Sequence, residues 1–116
     1  MRENDPMEGS RQKLLSALGL CRKAGRLVCG TPLICDALRS AKKPYAVIMA
    51  SDNSENTRKR LNDRCAFYGV NKVCLECNGD ALAKALGKGG RVAAAAITDQ
   101  QLCRLVTEKL NREHII

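Results

Sequence analysis

The stretch Arg26-Leu-Val-Cys-Gly-Thr-Pro-Leu-Ile-Cys-Asp-Ala-Leu-Arg39 decides how the rest of the chain reads. Leu27, Val28 and Cys29 form a short apolar run, which Gly30 interrupts. Thr31 has the side chain of a helix cap, and Pro32 suits a first helical turn, where a missing N–H costs nothing. Leu33, Ile34, Ala37, Leu38 and Ala41 then recur at helical spacing, with Arg39 and Lys42 off that face. The segment therefore predicts strand, tight turn, helix. Such a turn presents unpaired backbone N–H groups at a helix N-terminus, where the dipole favours an anion. Any β-turn-α unit shares this geometry, so the turn alone marks only a potential anion site.

Upstream, Ser10 stands where it would cap a helix built on Leu14, Leu15, Leu18 and Cys21, and Gly25 would end that helix. Downstream, Pro44 closes the second helix. Tyr45-Ala-Val-Ile-Met-Ala50 is a continuous apolar run, the pattern of a strand buried on both faces. Residues 51–54 carry turn and cap chemistry. A helix over 55–68 turns Leu61, Cys65 and Tyr68 inward and Arg58, Lys59, Arg60 and Arg64 outward, and Gly69 ends it. Lys72–Cys77 predicts a third strand, Asn78–Asp80 a turn, and residues 80–86 a short helix burying Leu82, Ala85 and Leu86. Gly87, Gly89 and Gly90 make a flexible loop with Lys88 and Arg91. Val92–Ile97 reads as a strand from its context, because alanine is a weak strand former. Thr98 or Asp99 caps a last helix on Leu102, Leu105, Val106 and Leu110. Helix followed by four strand–helix units, with short connections, implies an α/β fold with its sheet between helical layers. The expected organisation is one domain over 10–112, a disordered tail over 1–9 and a frayed tail over 113–116.

The 116 residues are 45% hydrophobic and 28% charged, enough to build one core. No apolar run is long enough to span a bilayer, and the first residues lack the apolar segment of a signal peptide. A cytoplasmic protein with no membrane contact is expected. Seven cysteines in a reducing compartment predict thiols, at least four of them buried, with no disulfide and no metal. Cys74-Leu-Glu-Cys77 lacks the second pair that a zinc site needs, and residues three apart on a strand face opposite sides. Gly87-Lys-Gly-Gly90 follows a helix and has no Ser or Thr after its lysine, so it is not a nucleotide-binding phosphate loop. With His114 as the one histidine, no nucleophile, base and orienter assemble; no enzyme and no cofactor are expected.

The formal net charge is +8. Residues 1–44 hold nine basic and four acidic side chains, residues 45–72 five and three, and residues 73–116 six and five. That excess favours a polyanion, most often nucleic acid. Tyr45, Phe67 and Tyr68 are the only aromatic residues, too few for the stacking platform of a dedicated single-strand reader.

Three tracts carry a likeness: Gly19-Leu-Cys-Arg-Lys-Ala-Gly-Arg-Leu-Val-Cys-Gly30, Val47-Ile-Met-Ala-Ser-Asp-Asn-Ser-Glu-Asn-Thr57 and Leu82-Ala-Lys-Ala-Leu-Gly-Lys-Gly-Gly-Arg-Val-Ala-Ala-Ala-Ala-Ile97. In order and spacing they resemble the ribosomal L-seven-Ae/L-thirty-e superfamily of kink-turn RNA-binding proteins, in its small bacterial YlxQ-like branch. The resemblance spans roughly residues 10–110. It implies a three-layer α/β/α sandwich with a mixed four-stranded sheet, no cofactor and no catalysis. RNA would meet the start of the second helix and the loop before the last strand. Together with the basic residues beside these two loops, the candidate RNA-binding residues are Gly30, Thr31, Pro32, Arg39, Lys84, Lys88, Gly90, Arg91, Val92 and Ala93, of which the resemblance itself implies Gly30 and Gly90–Ala93. The implied partner is ribosomal or other structured RNA, bound by a monomer. Strict kink-turn binders share a Gly-x-Asn-Glu-x-x-Lys tract. Gly30 matches it, while Pro32, Leu33 and Asp36 stand at the Asn, Glu and Lys positions. Proline and leucine offer no side-chain hydrogen bond and aspartate repels phosphate, so weak binding of a standard kink-turn is expected. The alternatives are a protein-interaction adaptor that kept the fold and an accessory to an RNA-modifying enzyme.

Overall fold

Gly30 sits at φ 96°, ψ 140°, a conformation that side chains disfavour, and so turns the chain directly from β1 (Leu27–Cys29) into α2 (Thr31–Arg39). The structure, a computed structural model, describes the backbone of residues 6–114 and the side chains of residues 12–109. Before β1 lies α1 (Pro6–Lys23); after α2 come β2 (Ala46–Met49), α3 (Glu55–Tyr68), β3 (Asn71–Cys74), α4 (Gly79–Ala85), β4 (Ala94–Ile97) and α5 (Gln100–His114).

The sheet order is β1-β4-β2-β3. β4 runs antiparallel to both its neighbours, while β2 and β3 are parallel, so the sheet is mixed. Period-two alternation divides the core. Val47, Met49, Ala94 and Ala96 pack under Ile34 and Leu38 of α2 and Leu61 and Cys65 of α3. Ala46, Ile48, Ala95 and Ile97 pack against Leu14, Leu18 and Cys21 of α1, Leu82 of α4 and Val106 of α5. The result is a three-layer α/β/α sandwich. Ala94, Ala95 and Ala96 are wholly buried in a central strand, where tertiary packing overrides their low strand propensity.

Several local expectations are corrected. The helix expected from a Ser10 cap starts at Pro6, so residues 6–9 of the expected tail are helical; residues 1–5 lie outside the described residues. Gly30, not Thr31, holds the cap position of α2, with no side-chain cap bond. That helix stops at Arg39 because the Ser40 amide and hydroxyl both bond back to the Ala37 carbonyl, leaving Ala41 exposed outside it. Leu33, expected on the inner face, is 59% exposed. β3 ends at Cys74, so Cys77 lies beyond it: Cys74 is exposed and Cys77 buried. β4 begins at Ala94, since Val92 bonds instead to the Gly79 carbonyl. α5 continues to His114, through the first two residues of the tail expected over 113–116; residues 115–116 and the Leu110 side chain lie outside the description. The cap at Ser54, which accepts from the Thr57 amide, and the left-handed stop at Gly69 form as the sequence predicts.

Candidate nucleic-acid interface

Strand directions bring the candidate RNA-binding stretches to one end of the sheet. β1, β2 and β3 end there and β4 starts there, in the register Cys29↔Ala95, Met49↔Ala94 and Met49↔Cys74. The Gly30 amide donates to the Ala94 carbonyl at 3.1 Å, so the α2 N-terminus lies beside the loop that enters β4. Between them is a depression of about 500 Å³ lined by Cys29, Gly30, Lys88, Gly89, Arg91, Val92 and Ala93. Five of the candidate residues, Gly30, Lys88, Arg91, Val92 and Ala93, thus meet in one place. Gly90 belongs to the same loop, at φ 78°. Thr31, half-buried, and Pro32, exposed, continue from the rim along the first turn of α2. Lys84 is elsewhere, in a second depression of about 550 Å³ with Arg22, Lys23 and Gly87. Arg39 is not at the rim: it ends α2, about 12 Å along the axis from Thr31, in an ion pair with Asp36.

The loop before β4 is held by its neighbours in space. Arg91 donates to the Asp52 carboxylate at 2.6 Å, to the Asp52 carbonyl at 3.0 Å and to Asn53 Oδ1 at 3.0 Å. Asp52 also accepts from the Gly79 amide at 3.0 Å. Asn53 is buried and donates to the carbonyls of Ala50 and Ala93. The Arg91 side chain crosses Gly79 so closely that a Cβ there would lie 2.5 Å from its Cγ. Two exposed turns and the α4 N-terminus are thereby locked together.

Residues 12–106 match the ribosomal protein L7Ae/L30e/S12e/Gadd45 family. The chain belongs to this family. It is 36% identical over 86 residues to the RNA-binding protein YlxQ of Enterococcus faecium, covering 73% of this chain and 81% of that protein. It is 35% identical over 83 residues to the RNA-binding protein YlxQ of Bacillus subtilis (strain 168), covering 72% and 80%. A solved structure of a protein with unknown function from Bacillus halodurans C superposes with TM-score 0.77 at 26% identity, over 85% of this chain and 97% of that one. The Giardia lamblia 15.5kD RNA binding protein shares the fold, with TM-score 0.70 at 20% identity over 94% and 88% of the two chains.

Within this L7Ae/L30e-type framework, Asp52, Asn53, Gly79 and Arg22 hold the loop that borders the candidate site, and periodicity does not reveal them. The stretch 51–54 reads only as turn and cap chemistry; nothing local says that its polar atoms reach Arg91. Arg22 donates to the Leu86 carbonyl at 2.5 Å, fastening the end of α1 to the start of the Gly87–Ala93 loop. Partial desolvation raises the Asp52 carboxyl, but the Gly79 amide and Arg91 guanidinium outweigh it and hold the group below the usual carboxylate range. Cys29 lines the depression, and burial pushes its thiol up despite the opposing charges of Lys88 and Arg22, so it stays protonated at neutral pH. Cys21, Cys35, Cys65 and Cys77 are buried. Among the described residues no three His, Cys, Asp or Glu side chains come together as a metal site would require.

Proposed function

We propose that this chain is a non-catalytic RNA-binding protein whose RNA seats on the rim from Gly30 to Pro32 and across Lys88–Ala93. The observation that carries the reading is the convergence of the α2 N-terminus and the glycine-rich basic loop on one depression in a chain of net charge +8. The family membership and the RNA-binding relatives support it. Backbone N–H groups at the start of α2 meet phosphate, helped by the dipole. Lys88 adds a mobile point charge, and Arg91, fixed by Asp52, adds an oriented one. Val92 and Ala93 form a small apolar floor that lets a sugar or base edge come close.

The reading places the protein in the cytoplasm, as a monomer on ribosomal or other structured RNA. No helix among the described residues is long and apolar enough to cross a membrane. The kink-turn is the RNA shape that the family resemblance suggests, though Pro32 and Leu33 lack the base-reading side chains of strict binders. Sequencing the RNA that copurifies with the protein tests the reading, together with binding of that RNA across a salt series. Replacing Lys88 and Arg91 by alanine is expected to weaken binding and to lower the salt slope by about 0.7–0.9 for each lost phosphate contact. Replacing Lys109 and Arg112 is expected to do neither. Equal losses from both pairs mean diffuse attraction and reject a site.

A further inference from the structure

Phe67 is 80% exposed, although burial would favour an aromatic ring of this size. Its ring meets that of Tyr68 edge-to-face, with centroids 4.8 Å apart. The Lys43 ammonium stands 5.0 Å from the Tyr68 ring centre and donates to the Ser40 carbonyl at 2.9 Å. Tyr45, also exposed, follows Lys43 by two residues and enters β2 beside the turn from α3 to β3, where Ala46 pairs with Asn71. Tertiary structure thus gathers the chain's three aromatic residues, with a cation among them, at the end of the sheet opposite the Gly30 depression.

α3 joins the two ends. Its start abuts the Asn53 clamp, where Arg58 donates to the Asn53 carbonyl at 3.3 Å, and its fourteen residues span about 20 Å. Along it Arg60, Arg64 and Phe67 recur at i, i+4 and i+7, one stripe of the helix surface. The acid nearest that stripe, Asp63, is occupied by Lys59 at 2.9 Å. A cationic track ending on an exposed ring complements a polyanion with flat bases better than it complements an apolar protein face. Base stacking on an exposed aromatic ring needs no particular sequence.

We propose that α3 is a second RNA contact. An unpaired strand leaving RNA seated at the Gly30 depression follows the helix, with phosphates against Arg60 and Arg64 and a base stacked on Phe67. The inference rests on the RNA-binding reading above. Its test uses a kink-turn hairpin at low salt, with and without a tail of about ten unpaired adenosines, enough to run the length of α3. The tail is expected to tighten binding about fivefold or more, the effect of one stacked base. Phe67→Ala cuts that gain by about fivefold or more, leaving only the phosphate contacts to Arg60 and Arg64, and leaves affinity for the untailed hairpin unchanged. The chain has no tryptophan, so Phe67→Trp supplies a lone indole, which tailed RNA quenches and untailed RNA does not. A tail gain that Phe67→Ala leaves undiminished overturns the inference while leaving the RNA-binding reading intact. Wild-type self-association in sedimentation that Phe67→Ala removes also overturns it, and gives the patch to a second copy of this chain. Binding of neither RNA even at low salt, where phosphate contacts alone hold a hairpin whether or not its kink is read, rejects both readings.

Discussion

The Arg91 guanidinium donates to the Asp52 carboxylate at 2.6 Å, joining two loops that lie 39 residues apart in sequence. The acid stands next to the cationic rim, so its effect on RNA has two opposing parts. Its charge repels phosphate, and its hydrogen bonds hold Arg91 and the α4 N-terminus in place. The exposed charge is screened by salt, whereas the positional effect is not.

Asp52→Ala is therefore expected to lower RNA affinity, although it removes a negative charge from the rim. Filter binding at two salt concentrations checks this; a rise in affinity at both would assign the acid a purely repulsive role. Because its carboxyl is held below the usual range, the stability the clamp contributes is complete above the ordinary aspartate value of about 4. It is lost only as pH falls through the lowered value. Protection of the Gly79 amide, which donates to Asp52, measured against an unstructured amide at the same pH, should accordingly hold through mild acid and fall only below it.

Gly30→Ala isolates the cost of the β1–α2 turn. No atom lies within 4 Å of a Cβ built there, so the penalty is all backbone. At φ 96° it is expected to be about 1–3 kcal/mol. A domain of this size loses roughly 4–8 °C of melting temperature per kcal/mol. Gly89→Ala, also in open space and with an ordinary φ, should leave the melting temperature within about 2–4 °C, since surface changes rarely exceed about 0.5 kcal/mol.

Kink-turn preference is expected to follow Pro32 and Leu33 more than Asp36. The Asp36 carboxylate is paired with Arg39, so part of the repulsion expected from its charge is already cancelled. Asp36→Lys should raise affinity for kinked and straight RNA alike, by up to about tenfold at low salt. Pro32→Asn with Leu33→Glu places hydrogen-bonding groups at exposed positions of the first helical turn. That pair should favour the kink by about 1–3 kcal/mol, the discrimination one good base-edge pair gives. Parallel titrations of a kink-turn and its straight duplex measure the difference.

Burial raises the Cys21 and Cys65 thiols, and Cys35 and Cys77 are also buried. Iodoacetamide under native conditions should modify the exposed Cys74 first. Mass spectrometry after short exposure checks the order. Modification of Cys21 or Cys65 ahead of Cys74 would mean that the core opens more readily than this packing allows.

Much of the fold was legible in the chain itself. The apolar runs at 27–29 and 45–50, the breaks at Gly30 and Gly69, and the spacing of Leu14, Leu18 and Cys21 each announce an element through near neighbours. Hydrogen-bond geometry and side-chain period act over a few residues, so a few residues suffice to read them. The charge excess likewise named the class of partner. Strand direction is different: β4 lies antiparallel between β1 and β2, and alternating elements alone do not contain that order. The likeness of three tracts to a known family implied only that the sheet is mixed; the order is a property of the tertiary structure. Only tertiary structure decided that Arg91 is held by Asp52 and Asn53, that Ala41 falls outside α2, and that three scattered aromatic residues share one end of the sheet. These relationships join residues far apart in sequence or depend on where a helix ends. They depend on the packing of the whole domain, and no local pattern of side chains records them.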